Sequence, residues 1–405
     1  MFFDAIPRAL YIHIPFCKKK CSYCDFFSIP ITGVLKESSK EPLIRSSSSK
    51  TSSINNIIDN ILEETINQIS YFNNLLNINA LKTIYMGGGT PSAIGREKLE
   101  KIIQAIVSVY NALPEEFSIE INPETVSPDL LKMLNNLPVT RISLGVQSFN
   151  RKVNNILGRN SAIEATYNAL EMLKEYSDKE ISIDLISSIP GQTIEEALSD
   201  ITTALSFKPD HISLYYLTLE EGTKLHKKFT EKDQDDRCWI ESCELLEASG
   251  YEHYEISNFS QPGKECLHNI NYWKMEPYIG CGLSAVSTYY SNGQFYRISV
   301  TDDPAVFLQG KKSLWGMEKE AISNHDFLIE LLMMGLRTKE GVCLEKISNF
   351  FNIDLEKVLE PVILEWDKKG FITPNGYGLA LNSKGRYFHS SFMIDIMNCI
   401  EKVFG

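Results

Sequence analysis

Three cysteines crowd into eight residues near the start of the chain, at Cys17, Cys21 and Cys24. Thiolates on one short loop can converge on a single inorganic centre. Three of them can hold three irons of a four-iron cubane and leave the fourth iron with an open coordination site. A cluster of this kind can bind and reduce a small molecule instead of only passing electrons. Two other interpretations stay open, a zinc site completed by His13 or a distant residue and an accidental group of thiols.

Further residues suited to chemistry come directly after predicted strands. The turn Gly87-Gly88-Gly89-Thr90-Pro91 follows the second predicted strand, and the polar residues Glu120, Gln147 and Asp184 stand at the ends of later ones. Functional groups on parallel α/β sheets collect at the C-terminal ends of the strands, where the loops converge. We therefore expect these residues and the cysteine loop to share one rim.

The elements that must position this rim are visible as alternating strand and helix patterns. Short runs rich in β-branched and aromatic residues predict six strands, at 10–14, 83–86, 117–121, 141–146, 181–186 and 211–217. Apolar residues at i, i+3, i+4 spacing predict helices between them, with stripes over 54–69, 99–106 and 194–205. The alternation predicts an α/β fold with a parallel sheet, here a partial, six-stranded β/α barrel with an open side.

The pattern divides the chain into three predicted regions. Residues 1–222 carry the partial barrel, 223–322 form a connecting region, and 323–405 change to helical stripes with a small hairpin. Helices followed by a hairpin predict a winged-helix-like α+β domain. A serine-rich segment without periodicity, 36–53, predicts a mobile insertion. The last helix carries no basic face, so DNA binding is not expected of this domain.

Composition narrows the class of protein and its compartment. The 405 residues, 43% hydrophobic and 23% charged, suit two or three globular domains. A formal charge of −12 argues against a nucleic acid partner. No apolar run approaches the length of a membrane span, and the N-terminus lacks the pattern of a secretory signal. Nine cysteines, an odd number, suggest metal chemistry more than disulfides. We expect a cytoplasmic protein.

Several blocks together resemble a known family. The run Tyr11-Ile12-His13-Ile14-Pro15-Phe16-Cys17, with the three-cysteine loop, resembles the radical S-adenosylmethionine (SAM) superfamily in its coproporphyrinogen-oxidase-like branch. The resemblance extends through nearly the whole chain, and the further matching blocks are 87–92, 120–123, 141–149, 184–186, 190–193 and 268–273.

The resemblance implies a [4Fe-4S] cluster on Cys17, Cys21 and Cys24, with SAM chelated by its open iron and open to cleavage to a 5′-deoxyadenosyl radical. It also implies a set of SAM contacts, namely Tyr11, Gly88, Gly89, Thr90, Glu120, Gln147, Arg159 and Asp184. Glycine has no Cβ to obstruct a close approach, so the turn can offer backbone carbonyls to the SAM ammonium. Taken singly, each polar member is also typical of a hydrogen-bonded barrel residue. The basic run 18–20 could meet an acidic, reduced electron donor.

Two sequence features distinguish the oxidases of this branch from its haem chaperones. Its oxygen-independent oxidases carry a fourth cysteine two residues after the third, whereas this chain has Cys24-Asp25-Phe26. That ending and the H-N-x-x-Y-W block at 268–273 resemble the HemW-type haem chaperones. This resemblance implies that the chain binds haem and delivers it to acceptor proteins, respiratory enzymes among them. His268 is the candidate haem ligand, because imidazole is a proper axial ligand. A hydrogen-bonded core histidine is the alternative.

Two other functions stay open at this point. One is an oxygen-independent coproporphyrinogen III dehydrogenase, in which the adenosyl radical abstracts hydrogen from propionate side chains. The other is a zinc-stabilised barrel that binds another protein. The sequence does not decide whether SAM cleavage is a catalytic step, a gate on haem transfer or a relic, and coproporphyrinogen dehydrogenase activity is not expected.

Overall fold

The computed structural model describes residues 6–31, 50–78, 80–110, 112–159, 163–375 and 378–404. All six predicted strands form, within two residues of the predicted ends. They are β1 (Ala9–Ile14), β2 (Thr83–Gly88), β3 (Glu116–Ile121), β4 (Arg141–Gln147), β5 (Glu180–Ser187) and β6 (His211–Tyr216). They pair in chain order and are parallel throughout. The predicted parallel α/β fold is therefore confirmed.

Helices connect successive strands, as the apolar stripes predict. They are α1 (Lys50–Leu76), α2 (Arg96–Val109), α3 (Pro128–Asn135), α4 (Arg151–Ile156), α5 (Ile163–Tyr176) and α6 (Ile194–Ser206). In α2 the stripe residues Leu99, Ile102, Ile103 and Ile106 are all buried, each contributing roughly 1.5–3 kcal/mol by burial. α6 begins at a capping box, in which Thr193 and Glu196 bond to each other's backbone N–H. Residues 36–49 of the predicted insertion lie outside the described residues, and α1 begins at Lys50.

The connecting region makes the sheet larger than predicted. It contributes α7 (Asp236–Ala248), β7 (Glu252–Glu255), β8 (Asn258–Ser260), α8 (Leu267–Trp273), β9 (Tyr278–Cys281), β10 (Val286–Ser291), β11 (Gln294–Ser299), α9 (Pro304–Phe307) and β12 (Glu318–Ile322). Over the described residues the sheet has twelve strands, in the order β12-β11-β10-β9-β1-β2-β3-β4-β5-β6-β8-β7. β9 is parallel to β1 and adds a strand to the parallel part, whereas β8 is antiparallel to β6. The predicted count of six strands is therefore too small.

The C-terminal part is mainly helical. It comprises α10 (Asn324–Gly335), α11 (Leu344–Phe351), α12 (Leu355–Lys368), β13 (Ile372–Asn375), β14 (Gly378–Leu381), α13 (Ser383–Arg386) and α14 (His389–Phe404). Its helices share a hydrophobic cluster with Met275, Phe295 and Ile322 of the connecting region. The helices therefore pack directly on the outer strands of the sheet. The domain boundaries at 222 and 322 stay a prediction. Among the described residues, no helix combines the length and the apolar character that a membrane crossing requires.

Candidate functional site

A cavity of about 450 Å³ opens at the C-terminal ends of the parallel strands. It gathers every predicted site residue except Tyr11 and His268, that is, Cys17, Cys21, Cys24, Gly88, Gly89, Thr90, Glu120, Gln147, Arg159 and Asp184. We call it the cysteine cavity. The strand ends thus bring together residues that are up to 167 positions apart in the sequence, from Cys17 to Asp184.

The cysteine loop is tied down by backbone hydrogen bonds on both sides. The N–H of Ile31 donates to the carbonyl of Cys17 at 2.7 Å, and the N–H of Ser22 donates to the carbonyl of Leu157 at 2.9 Å. All three cysteines are free and partly buried. Burial raises the pKa of Cys24 to about 11, and it also raises the pKa of Cys17. Burial therefore favours the neutral thiol at Cys17 and Cys24, and a thiol that binds metal releases its proton.

His13 is held behind the loop by hydrogen bonds. Its Nε2 donates to the carbonyl of Phe27 at 3.0 Å, and its Nδ1 accepts from the Tyr11 hydroxyl at 3.0 Å. Both ring nitrogens are therefore used, which argues against the zinc site completed by His13. Within the described ranges, no three His, Cys, Asp or Glu side chains are grouped to hold a single metal ion. Tyr11 lies outside the cavity lining, and its hydroxyl contacts His13.

The glycine turn is shaped by what lies behind it. A Cβ on Gly87 would lie 2.8 Å from the Glu120 carboxylate, and one on Gly88, whose φ is +102°, would lie 2.4 Å from the His13 ring. A Cβ on Gly89 would lie 2.7 Å from the Phe16 carbonyl oxygen. Glycine is thus required by packing against β1 and β3, in addition to the ligand approach expected from the sequence. The N–H of Thr90 donates to the Phe16 carbonyl at 2.7 Å, which fixes the turn to the cysteine loop.

Two partly buried carboxylates, Glu120 and Asp184, line the cysteine cavity. Glu120 accepts from the Tyr85 hydroxyl at 2.8 Å and from the N–H of Gly88 at 3.2 Å. The Ser143 hydroxyl lies 2.9 Å and 3.0 Å from the two oxygens of Asp184. Burial raises the pKa of Glu120 to about 7, and the charge of Asp184 adds to the effect. Burial likewise raises the pKa of Asp184 to about 6. The pair favours a ligand that brings a cation or hydroxyl donors.

Arg159 and Gln147 supply the remaining polar groups of the wall. Arg159 donates to the carbonyl of Gly145, and its Nη2 donates to Asn122 Oδ1 at 3.1 Å. Gln147 ends β4 with a φ of +68°, where the register with β5 shifts. A left-handed backbone conformation costs energy for any residue other than glycine, and residues held in it are found more often at functional sites. The wall therefore combines one fixed cation with an amide, a pair suited to a carboxylate.

His268 lies at the opposite ends of the strands, in α8, and is fully buried. Its Nδ1 is 2.9 Å from the Thr83 hydroxyl, and its Nε2 is 2.8 Å from the Tyr272 hydroxyl. Burial lowers the pKa of His268 to about 3, so the ring is neutral. The structure therefore shows the hydrogen-bonded core histidine. An iron could reach a ring nitrogen only by displacing one of these two partners.

Comparisons with known proteins show the family to which the chain belongs. The family described as the radical SAM superfamily matches residues 11–204, and the HemN C-terminal domain matches residues 322–388. A protein named heme chaperone HemW, from Lactococcus lactis subsp. lactis, is 32% identical over 404 residues, which cover 97% of this chain and 99% of that protein. The chain belongs to the HemW family of radical SAM proteins. The heme chaperone HemW of Escherichia coli is 29% identical, over 96% of this chain and 97% of that protein.

The HemW family carries a fold that is also seen in a solved structure. Coproporphyrinogen III oxidase (HemN) from Escherichia coli superposes with a TM-score of 0.76 over 97% of this chain and 90% of that chain, at 19% identity. At that identity the likeness shows the fold alone. The radical SAM superfamily implies a [4Fe-4S] cluster and SAM. The residues fit both, since three free thiols and a glycine turn line one cavity.

The sequence did not identify several residues of the cysteine cavity. Asn122, Tyr215 and Phe26 line it, and Tyr85 supports Glu120 from below. No motif marks Tyr85 and Tyr215, because an aromatic residue within a strand is more often part of the core.

The raised pKa of Glu120 predicts a pH-dependent effect of Glu120→Gln. The folded chain binds the Glu120 proton more tightly than the unfolded chain, so the free energy of unfolding falls as pH rises from the ordinary pKa of 4.5 through the raised pKa of about 7. We expect Glu120→Gln to be more stable than wild type at pH 8 by about 1–3 kcal/mol. The advantage should disappear near pH 4.5. Urea unfolding midpoints at several pH values measure this.

The exposed Glu124 provides the matched control for this measurement. Glu124→Gln should leave the pH dependence of the midpoint as in wild type. A Glu120→Gln protein that loses the same stability as wild type between pH 5 and pH 8 would show that this carboxyl does not cause the effect.

Proposed function

We propose that this chain is a haem chaperone, which binds haem and passes it to acceptor proteins, and that its cysteine cavity holds a [4Fe-4S] cluster and SAM. The observation that carries the proposal is the relation to the HemW of Lactococcus lactis, at 32% identity across nearly the full length of both chains. A relation of that extent includes the cysteine loop, α8 and the C-terminal helices together. In the family-model comparison, the C-terminal helices also match the HemN C-terminal domain.

The cavity residues have complementary roles in this proposal. Cys17, Cys21 and Cys24 hold the cluster, which when reduced supplies one electron for SAM cleavage. Glu120 and the Gly88–Gly89 turn receive the SAM ammonium, because a carboxylate and backbone carbonyls accept hydrogen bonds from it. The remaining contacts are Arg159 and Gln147 to the SAM carboxylate and ribose, Asp184 to a ribose hydroxyl, Thr90 through its hydroxyl, and Tyr11 indirectly through His13.

The proposed partners are haem, haem-accepting proteins, which can include respiratory enzymes, and a reduced electron donor. Phe26 is 62% exposed beside the cysteine loop, and Lys20 donates to its carbonyl at 3.0 Å. An exposed aromatic ring next to the basic run 18–20 suits an acidic donor protein. We propose the cytoplasm as the location, because the described cysteines are all free thiols, as a reducing compartment keeps them.

Anaerobic reconstitution of the full-length chain tests this function. We expect about four irons and four sulfides per chain, a Soret band on titration with hemin, and transfer of that haem to an apo-haem protein. The same sample, given SAM, a reductant and coproporphyrinogen III, should form no protoporphyrinogen. Appreciable protoporphyrinogen would establish the dehydrogenase in place of the carrier. Stoichiometric zinc without iron would establish the zinc-stabilised barrel.

A further inference from the structure

A second cavity, of about 570 Å³, lies between the barrel and the C-terminal helices. Its walls come from α8, from Thr288 of β10 and Arg297 of β11, and from Met333 and Met334 of α10. The segment that matches the HemN C-terminal domain thus faces the barrel across this space. The volume falls in the range typical of small-molecule sites, about 300–1,000 Å³. We call it the interdomain cavity.

Seven of the sixteen residues that line the interdomain cavity carry aromatic or thioether side chains, and the other nine are polar or charged. Tyr272 and Trp273 line one side, Tyr278 stands beside them, and Met275 and Met333 complete the wall. The rings of Tyr272 and Tyr278 pack edge to face with their centroids 4.5 Å apart. Flat aromatic surfaces and adaptable methionine side chains suit a broad, planar, apolar ligand.

Two arginines, Arg297 and Arg337, provide hydrogen-bond donors in the interdomain cavity. Arg297 Nη2 lies 2.8 Å from both oxygens of Glu330, and Arg337 lies 2.6 Å from Oε1 of the buried Glu255. A guanidinium carries five N–H donors, so these ion pairs hold each fork in place and use only part of it. The carboxylates of Glu255, Glu276 and Glu330 also line the cavity, so its charge is not net positive. The two arginines therefore contribute through the direction of their N–H donors. Such forks match carboxylate groups in geometry.

Resting on the haem-binding function proposed above, we infer that the interdomain cavity is the haem site, with the macrocycle between the aromatic and methionine walls and its carboxylates on Arg297 and Arg337. Among the described residues that line the cavity there is neither a histidine nor a cysteine. The thioethers of Met333 and Met334 are groups that ligate haem iron. His268 is then a positioning residue, which holds the wall residue Tyr272 through its hydroxyl.

The interdomain cavity and the cysteine cavity share one side chain. Tyr215, near the end of β6, lines both. A ligand in either cavity therefore borders the same phenol ring. This adjacency places the proposed haem next to the proposed SAM site.

A cavity-filling substitution tests the site. Met333 is 39% exposed, so Met333→Trp can fold while its indole occupies space in the cavity. We expect the dissociation constant for hemin, measured by Soret titration of the reconstituted full-length chain, to rise at least tenfold. The matched control is Ile394→Trp, on α14, where the side chain is 60% exposed and lines neither cavity. Its dissociation constant should equal that of wild type.

Arg297→Met provides an independent test, since the Arg297–Glu330 pair is partly exposed and its loss should not unfold the chain. Loss of a charge-assisted hydrogen bond should weaken hemin binding about tenfold. Hemin dimethyl ester, which lacks the carboxylates, should bind wild type and Arg297→Met equally.

The outcomes separate the site from the function. A wild-type chain that binds no hemin overturns the proposed function itself. A wild-type chain that binds hemin, together with Met333→Trp and Arg297→Met proteins that bind it equally well, overturns the assignment of the interdomain cavity and leaves the function standing. Unfolding midpoints of the variants establish that they are folded, and if Met333→Trp does not fold, Arg297→Met decides.

Discussion

Cys17→Ser should reduce iron and sulfide in the anaerobically reconstituted chain from about four of each to near background. Cys17 and Thr90 are in contact, with Sγ and Oγ1 3.6 Å apart, at the point where the cysteine loop meets the glycine turn. The thiolate is the metal ligand of cysteine, and a serine hydroxyl does not replace it on iron. In the proposed cluster each thiol would hold a separate iron, so loss of one would leave the cluster with two protein ligands. Iron and sulfide analysis, with the visible absorption band, measures the result.

The chain contains a matched control in Cys343. This cysteine is also free and partly buried, but it precedes α11 in the C-terminal part, far along the chain from the loop. Cys343→Ser should therefore take up iron and sulfide as wild type does. Wild-type iron content in Cys17→Ser, or an equal loss in both variants, would contradict the three-cysteine cluster.

The sequence predicted the parallel strands well because their signal is local. The strand Arg141–Gln147 is buried at every position, and its apolar residues Ile142, Leu144 and Val146 alternate along the run, which is the pattern of a strand. The outermost strand, β12, carries no such signal. β12, with the sequence Glu-Lys-Glu-Ala-Ile, is exposed at four of its five positions, and it pairs with β11 through backbone bonds that need no apolar pattern. The strands β10 and β11 do contain aromatic and β-branched residues, so only the outermost strand could not be predicted from its residue types.

The same distinction separates the two cavities. The cysteine cavity was predictable because its residues stand at the ends of recognisable strands and within dense motifs. The interdomain cavity takes Tyr272 and Trp273 from the block 268–273, but its other walls, with Tyr215, Arg297 and Met333, come from elements that share no motif. The position of His268 could not be predicted from the sequence either, because its two hydrogen bonds join it to Thr83, 185 positions away, and to Tyr272. Only tertiary packing decides whether such a ring faces a ligand or the core.

Arg141→Met should destabilise the chain by about 3–5 kcal/mol, because it leaves buried charge without a partner. The Arg141 side chain is 3% exposed at the N-terminal ends of the strands, with Nη2 2.8 Å from Glu180 and Nε 3.6 Å from Glu116. It also donates to the carbonyls of Lys264 and Glu265 at 3.0 Å and 3.2 Å. The urea unfolding midpoint measures the loss. Arg151→Met, at an ion pair whose side chains are 69% and 66% exposed, should change it little.

The same substitution should affect the two proposed ligands differently. Glu116 accepts hydrogen bonds from the N–H groups of Leu267 and His268 at 2.8 Å and 3.0 Å, so it fixes the start of α8. With Arg141 gone, this buried carboxylate loses its nearest cation and α8 loses its anchor at the barrel. α8 supplies Tyr272 and Trp273 to the interdomain cavity, whereas the cysteine loop is at the other ends of the strands. Under conditions where Arg141→Met is folded, hemin binding should therefore weaken while iron and sulfide content stays at the wild-type level. Equal loss of both would mean that α8 and the cysteine loop depend on the barrel as one unit.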